Sequence, residues 1–151
     1  MLNNLFNNIK NNINLKKYNN IKHLSNILNN YNGDDWKKYR VVNDLSYNKI
    51  LVSKTENFDI YIITWKEYYE SSIHNHSKNG CLYKILEGTL IEDNYNKKLE
   101  FIGFKNLNKN AIGYIDDNMS YHNIINPTNQ IAVSLHIYSP SDYKTNYFSS
   151  V

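Results

Sequence analysis

Two histidines separated by one residue, in His74-Asn75-His76, are the first feature of the sequence that could bind a metal. They follow a stretch with the composition of a β-strand, and residues i and i+2 of a strand point to the same face of a sheet. Both imidazoles could therefore reach one ion from the same side. Taken alone, the pattern is more typical of two polar residues at the end of a strand, so other residues must decide.

The residues that follow the pair add to the metal hypothesis. Four residues separate His76 from Cys81, and Gly88 comes seven residues after that cysteine. This spacing resembles the first signature motif of the cupin superfamily, in which a glutamate usually stands where this chain has Cys81. The negatively charged side chain that the motif usually offers to the metal is therefore missing.

A second group of residues resembles the second cupin motif. Gly113, His122 and Asn126 match it in spacing, while Met119 stands where proline is usual. With both motifs in order, the resemblance implies one metal site with three histidine ligands: His74, His76 and His122.

Three neutral imidazoles would leave the ion with its full charge and with adjacent positions open. That layout is typical of non-haem iron oxygenases, except that histidine replaces their carboxylate. It favours an anionic substrate, such as a thiolate with a neighbouring amine, beside dioxygen. Zinc is the alternative, since it also accepts three histidines and water, but it has no redox chemistry.

The segment from Ser134 to Pro140 carries a second candidate group. Ser134, His136 and Tyr138 alternate, so their side chains share one face of a predicted strand. The alternative is a polar face turned to water. Beside a metal in a barrel, we expect an inward row of hydrogen bonds that tunes the Tyr138 phenol.

The stretches 65–88 and 113–140 together resemble cysteine dioxygenase. The resemblance implies that Fe(II) binds the three histidines and that a thioether joins Cys81 to the ring of Tyr138. It also implies that Ser134 and His136 support this pair as a relay.

The substrate end departs from that family. Its members usually carry an arginine after a tyrosine to bind the substrate carboxylate, whereas this chain has Tyr47-Asn48-Lys49. Lys49 keeps the positive charge but not the planar bidentate fork. We therefore expect Tyr47 and Lys49 to contact the substrate, with a weaker grip on its carboxylate.

The resemblance implies an Fe(II)-dependent thiol dioxygenase that converts L-cysteine and O2 to cysteine sulfinic acid. One alternative is a dioxygenase for another small thiol, such as 3-mercaptopropionate, although Cys81 is usually absent from that branch. A second alternative is a non-catalytic cupin that binds a metal.

Residues 47–140 have the pattern of a β domain. Turn signals at Glu87-Gly88, Asp93-Asn94, Asp116-Asp117-Asn118 and Asn126-Pro127 separate short apolar or alternating runs. We predict a mainly β fold, a cupin jelly-roll barrel with short N-terminal helices. The predicted strands are Ile50–Val52, Phe58–Trp65, Cys81–Leu86, Leu99–Phe104, Ala111–Ile115 and Ile131–Tyr138.

Residues 1–40 have apolar side chains at three- and four-residue spacings, which predicts two short helices before the barrel. The alternative is partial disorder, because asparagine is a poor helix former. We expect Asp34 or Asp35 to cap a further short helix through Trp36 and Tyr39.

Length, charge and cysteine content indicate how many domains the protein has and which kinds of partner it binds. The 151 residues suit a single domain, 1–151, and the lysines behind the net charge of +3 are spread along the chain rather than clustered as nucleic-acid binding requires. Cys81 is the single cysteine, so no intrachain disulfide can form. With no long apolar run either, we expect a cytoplasmic monomer that binds neither nucleic acid nor membrane and whose partners are the thiol and dioxygen.

Overall fold

Two five-stranded antiparallel sheets form the barrel in the computed structural model, which describes residues 1–149. The first sheet has the order β1-β2-β9-β4-β7 and the second has the order β10-β3-β8-β5-β6. The strands are β1 Tyr47–Lys54, β2 Asp59–Trp65, β3 Ile73–His74, β4 Cys81–Glu87, β5 Leu90–Tyr95, β6 Phe101–Leu107, β7 Ile112–Ile115, β8 Tyr121–Ile125, β9 Ala132–Tyr138 and β10 Tyr147–Phe148.

Successive side chains of β4 point alternately into two hydrophobic cores, one between the sheets and one outside the first sheet. Cys81, Tyr83 and Ile85 pack between the sheets, against side chains of the second sheet such as Leu90 and Ile124. Leu82 and Leu86 point the other way, to the outer face of the first sheet. The strand is buried on both faces.

The N-terminal helices cover that outer face. Leu5 and Ile9 of the first helix and Leu28 of the third share a core with Ile60 and Leu82 of the sheet. No helix in the described part of the chain is long and apolar enough to cross a membrane. The α-helices are α1 Leu2–Asn12, α2 Leu15–Tyr18 and α3 Ser25–Asn29, and 3-10 helices span Lys22–Leu24 and Asp35–Tyr39.

The mainly β fold with N-terminal helices is confirmed, but several predicted boundaries are wrong. The turn predicted at Asp93-Asn94 lies inside β5, and Leu99 precedes β6. Strands β3, β5, β8 and β10 are absent from the predicted set. Polar residues interrupt the apolar alternation of β5 and β8, whose register is set by pairing with each other, and β3 and β10 have only two residues each.

Asp35 has a different role from the one that its position predicts. In the described part of the chain, neither the Asp34 nor the Asp35 side chain makes a capping hydrogen bond to the 3-10 helix that begins at Asp35. Instead the Asp35 carboxylate accepts the Leu2 N–H at 2.7 Å and the Tyr31 hydroxyl at 2.9 Å. It therefore caps the start of α1, where the helix dipole favours an anion.

Lys84 joins the helices to the barrel. It is 4% exposed, and its Nζ donates to the carbonyl oxygens of Asn29 at 2.7 Å and of Tyr31 at 2.6 Å. Asn29 is the last residue of α3 and Tyr31 follows it, at the end where a helix leaves carbonyl acceptors without intrahelical partners. The ammonium group of a sheet residue thus completes the end of a helix.

We expect Lys84→Met to lower the free energy of unfolding by about 1 to 3 kcal/mol, because it leaves two sheltered carbonyls without a donor. Urea denaturation measures this. Lys54→Met, which removes the exposed pair of Lys54 with Asp142, is the control and should leave the curve nearly unchanged. Equal effects of the two substitutions would contradict the role of Lys84.

Candidate metal centre

The three predicted ligands meet at one end of the second sheet. His74 lies on β3 and is paired with His122 on β8, while His76 follows β3 by two residues. One nitrogen of each ring lies within 4.8 Å of the others. His76 and His122 are each 3% exposed, so the cluster is closed to bulk water on most sides.

Hydrogen bonds behind two of the rings bear on which nitrogen faces the cluster. The Nδ1–H of His74 donates to the Ser72 carbonyl at 2.8 Å, which leaves its Nε2 unprotonated. Nδ1 of His122 lies 2.8 Å from the Glu92 carboxylate, and the Nε2 atoms of the two rings face each other at 3.0 Å. When His122 donates its Nδ1–H to that carboxylate, two lone pairs meet at this separation, and a cation beside them removes their repulsion.

His76 gives the same indication from a third direction. Both of its ring nitrogens are buried, and the nearby Ser120 backbone does not reach full hydrogen-bond geometry among the residues described. Burial, and then the neighbouring His122, lowers the pKa of His76 well below its usual value, so the ring is neutral and able to donate a lone pair. The three side chains fit a bound metal ion.

The row of alternating residues on β9 lies on the inner face of the first sheet. Trp65 Nε1 donates to Ser134 Oγ at 2.8 Å, and Ser134 Oγ lies 2.8 Å from His136 Nε2. His136 Nδ1 is 3.3 Å from the Tyr138 hydroxyl. Burial lowers the pKa of His136 to about 3, so the ring is neutral and carries one N–H. The row is unbroken when Ser134 donates to Nε2 and Nδ1–H faces Tyr138.

Cys81 and Tyr138 are directly opposite on the paired strands β4 and β9. Residues in that relation place their side chains on the same face, with Cβ atoms about 4.5 to 5.5 Å apart. The thiol is 2% exposed and lies 3.7 Å from His136 Nδ1. Burial raises its pKa, so the group is a protonated thiol.

A cavity of about 50 Å³ opens beside the histidines. Both proposed substrate contacts line it, together with Tyr138. The other lining residues are Ile63, Trp65, Tyr69, Ser71, His74, Asn75, His76, Tyr143, Thr145 and Tyr147.

Lys49 supplies the positive charge of this cavity. It is an exposed residue of the edge strand β1, but its Nζ lies 4.5 Å from the ring centre of Tyr61 and 4.4 Å from that of Tyr138. The two rings displace water from around Nζ, and this local desolvation lowers the pKa of Lys49. Tyr47 stands next to it, and its ring stacks on Trp65 at 5.8 Å.

The end of the described chain forms one wall of the cavity. Strand β10 pairs with β3, and this places Tyr147 opposite His74 with their ring centres 5.7 Å apart. Asn75, between the two ligands of the first motif, donates its N–H to the Asn146 carbonyl and accepts the Asn146 N–H at 2.8 Å. Sequence patterns did not indicate this wall.

Other residues of the site were also missed. Tyr83 could have been found, because it is two residues after Cys81 on the same strand and must share its face. Glu92 gave no signal, because the turn predicted at Asp93-Asn94 removed it from a strand. Trp65 was not assigned a role, although its indole N–H begins the row on β9.

Comparison with known proteins supports the same family as the site. The model of the family "Cysteine dioxygenase type I" matches residues 2–150. Cysteine dioxygenase type 1 of Danio rerio is 33% identical over 132 residues, and that of Homo sapiens is 30% identical over 131, each match covering 80% of this chain. The matches span 66% of those two relatives and 58% of the Rattus norvegicus protein, which is 33% identical over 72% of this chain.

Solved structures share the fold at low identity. A Klebsiella pneumoniae protein with a double-stranded β-helix domain has a TM-score of 0.63 at 11% identity, covering 76% of this chain and 94% of its own. A cupin-superfamily sugar phosphate isomerase from Silicibacter pomeroyi has a TM-score of 0.56 at 12% identity, covering 70% and 67%. The barrel is therefore that of the cupins, and the family match along nearly the whole sequence shows that this chain belongs to the cysteine dioxygenase type I family.

Proposed function

We propose that this protein is an Fe(II)-dependent thiol dioxygenase that adds both atoms of O2 to the sulfur of L-cysteine and forms cysteine sulfinic acid. The observation that carries the proposal is the convergence of three imidazole nitrogens within 4.8 Å of one another, beside a cavity lined by a lysine and a tyrosine. The balance is one thiol plus one dioxygen for one sulfinic acid, so no further oxidant is needed.

His74, His76 and His122 would hold the iron. Bound there, Fe(II) would supply the one-electron chemistry that lets dioxygen react with a thiolate. Imidazole ligands without a carboxylate leave the ion its positive charge, and this charge attracts an anionic sulfur.

The remaining groups orient the substrate and place a proton. The Lys49 ammonium attracts the substrate carboxylate, with Tyr47 beside it on the same strand. The Tyr138 hydroxyl points towards the same cavity, and the row through His136 and Ser134 to the Trp65 N–H fixes its direction. Burial raises the pKa of Tyr138, so the hydroxyl keeps its proton and can donate a hydrogen bond at the reacting end.

A second thiol is a candidate substrate, because Lys49 recognises only the carboxylate. Lys49 binds a carboxylate whether or not an amino group is next to it, so 3-mercaptopropionate is the second candidate substrate. Oxygen uptake with each thiol, combined with detection of the sulfinic acid product, distinguishes the two. Uptake with neither thiol by iron-loaded protein would favour a non-catalytic metal-binding cupin.

We expect purified protein to hold about one iron per chain, and His74→Ala, His76→Ala and His122→Ala each to abolish both iron binding and turnover. Metal analysis and oxygen uptake measure these losses. His23→Ala is the matched control, because His23 lies outside the cluster, accepts the Asn14 N–H and stacks on Tyr18. A ligand variant that retains both iron and turnover would remove that residue from the site.

We expect a thioether between Cys81 and the ring of Tyr138 in protein that has turned over. Its formation replaces the S–H and one ring C–H with an S–C bond, and dioxygen takes up the two hydrogens. Denaturing gels should then show a second, faster band, which Cys81→Ser lacks. Intact mass spectra of active protein without the loss of two hydrogens would mean that the link is absent here.

We expect Lys49→Met to raise the cysteine concentration needed for half-maximal rate by roughly ten- to a hundredfold. A charge-assisted hydrogen bond is worth on the order of 1.5 to 3 kcal/mol, and each 1.4 kcal/mol is about tenfold in affinity. Lys49→Arg keeps the charge and, with its bidentate fork, should retain or improve cysteine oxidation.

Cysteamine, which has no carboxylate, is the control substrate for these variants. Its rate should change little in Lys49→Met. If the substitution slows cysteine and cysteamine equally, or slows neither, Lys49 does not bind the carboxylate.

A further inference from the structure

Glu92 is a buried carboxylate directly behind one metal ligand. It is 1% exposed, and its Oε1 lies 2.8 Å from Nδ1 of His122. Its other oxygen accepts the Tyr83 hydroxyl at 2.6 Å. A buried carboxylate without donors would be strongly destabilising, so this pair of hydrogen bonds is what allows Glu92 to stay inside the barrel.

We propose that Glu92 is the anion of the metal site, displaced from the position that the cupin motif gives to a glutamate ligand to a position one hydrogen bond behind His122. The inference rests on the proposed three-histidine metal site. Glu92 would act as a positioning residue: it fixes the proton of His122 on Nδ1, turns Nε2 to the metal and increases the electron donation of the ring.

Tyr83 and Gly113 hold this carboxylate in place. A Cβ built on Gly113 would lie 2.1 Å from the Tyr83 ring, so the glycine of the second motif makes room for that ring. The ring in turn stacks on His136 with centres 5.5 Å apart. Tyr83 therefore connects the support of the metal ligand with the row on β9.

The position of the charge has a chemical consequence. A carboxylate that bound the ion directly would occupy one coordination position, whereas Glu92 leaves that position open for substrate. A negative charge nearby also stabilises the ferric ion more than the ferrous ion, because the Coulomb energy scales with the charge of the ion. Glu92 should therefore lower the midpoint potential of bound iron.

The test compares Glu92→Gln with Asp93→Asn, which removes the same charge from the next residue of β5, on the opposite face of the strand. Iron is titrated anaerobically against a coloured chelator, and the midpoint potential of the loaded protein is measured without substrate. We expect Glu92→Gln to weaken Fe(II) binding by roughly ten- to a hundredfold. A further tenfold loss for the ferric ion would raise the potential by about 59 mV. Asp93→Asn should change neither quantity.

The wild-type protein provides a measurement that needs no variant, in case Glu92→Gln does not fold. Nitrogen-15 spectra of the metal-free protein should show the His122 proton on Nδ1. A proton on Nε2, or wild-type affinity and potential in folded Glu92→Gln, would overturn the role of Glu92. If wild-type protein binds no iron, the proposed metal site is wrong. The His122 tautomer would then still show whether Glu92 accepts the Nδ1 proton of His122.

Discussion

The site depends on one constraint: three buried imidazole rings must each present an unprotonated nitrogen to the same point. Each ring has to lose its solvation, remain neutral and aim one lone pair at a common point. The Ser72 carbonyl meets this requirement for His74 by accepting its Nδ1 proton, and the Glu92 carboxylate lies 2.8 Å from the corresponding nitrogen of His122. Much of the second sheet serves this purpose, since β8 places His122 between β3, which carries His74, and β5, which carries Glu92.

The two sheets contribute different chemistry to the cavity. The second sheet carries His74 and His122 of the candidate metal centre, and the first carries Lys49 on β1, Cys81 on β4 and the row on β9. Period-two alternation makes this division, because each of these strands turns every second side chain inward. The inward groups of the two sheets therefore face each other across the core that Ile63 and Ile124 share.

The sequence was most informative where spacing is tied to backbone geometry. His74, His76 and His122 follow motif spacings and meet, and Ser134, His136 and Tyr138 share a face because a strand requires it. It was least informative where a polar residue has a long-range partner. Glu92 lies in a strand of the sequence LIEDNY, whose composition is that of a turn, and only pairing with β6 and β8 on either side makes it extended. The cap that Asp35 gives to α1 likewise joins residues far apart in the chain.

The pairing of β10 with β3 links the width of the cavity to the position of His74. Strand β3 has two residues, and its backbone is held by β8 on one side and by β10 on the other. The same β10 segment supplies Tyr147 to the cavity wall. Moving this segment outward to widen the cavity would also withdraw support from His74. In a protein built this way, the width of the cavity and the position of a candidate metal ligand cannot change independently, so selection that preserves the histidine cluster would also keep the cavity narrow.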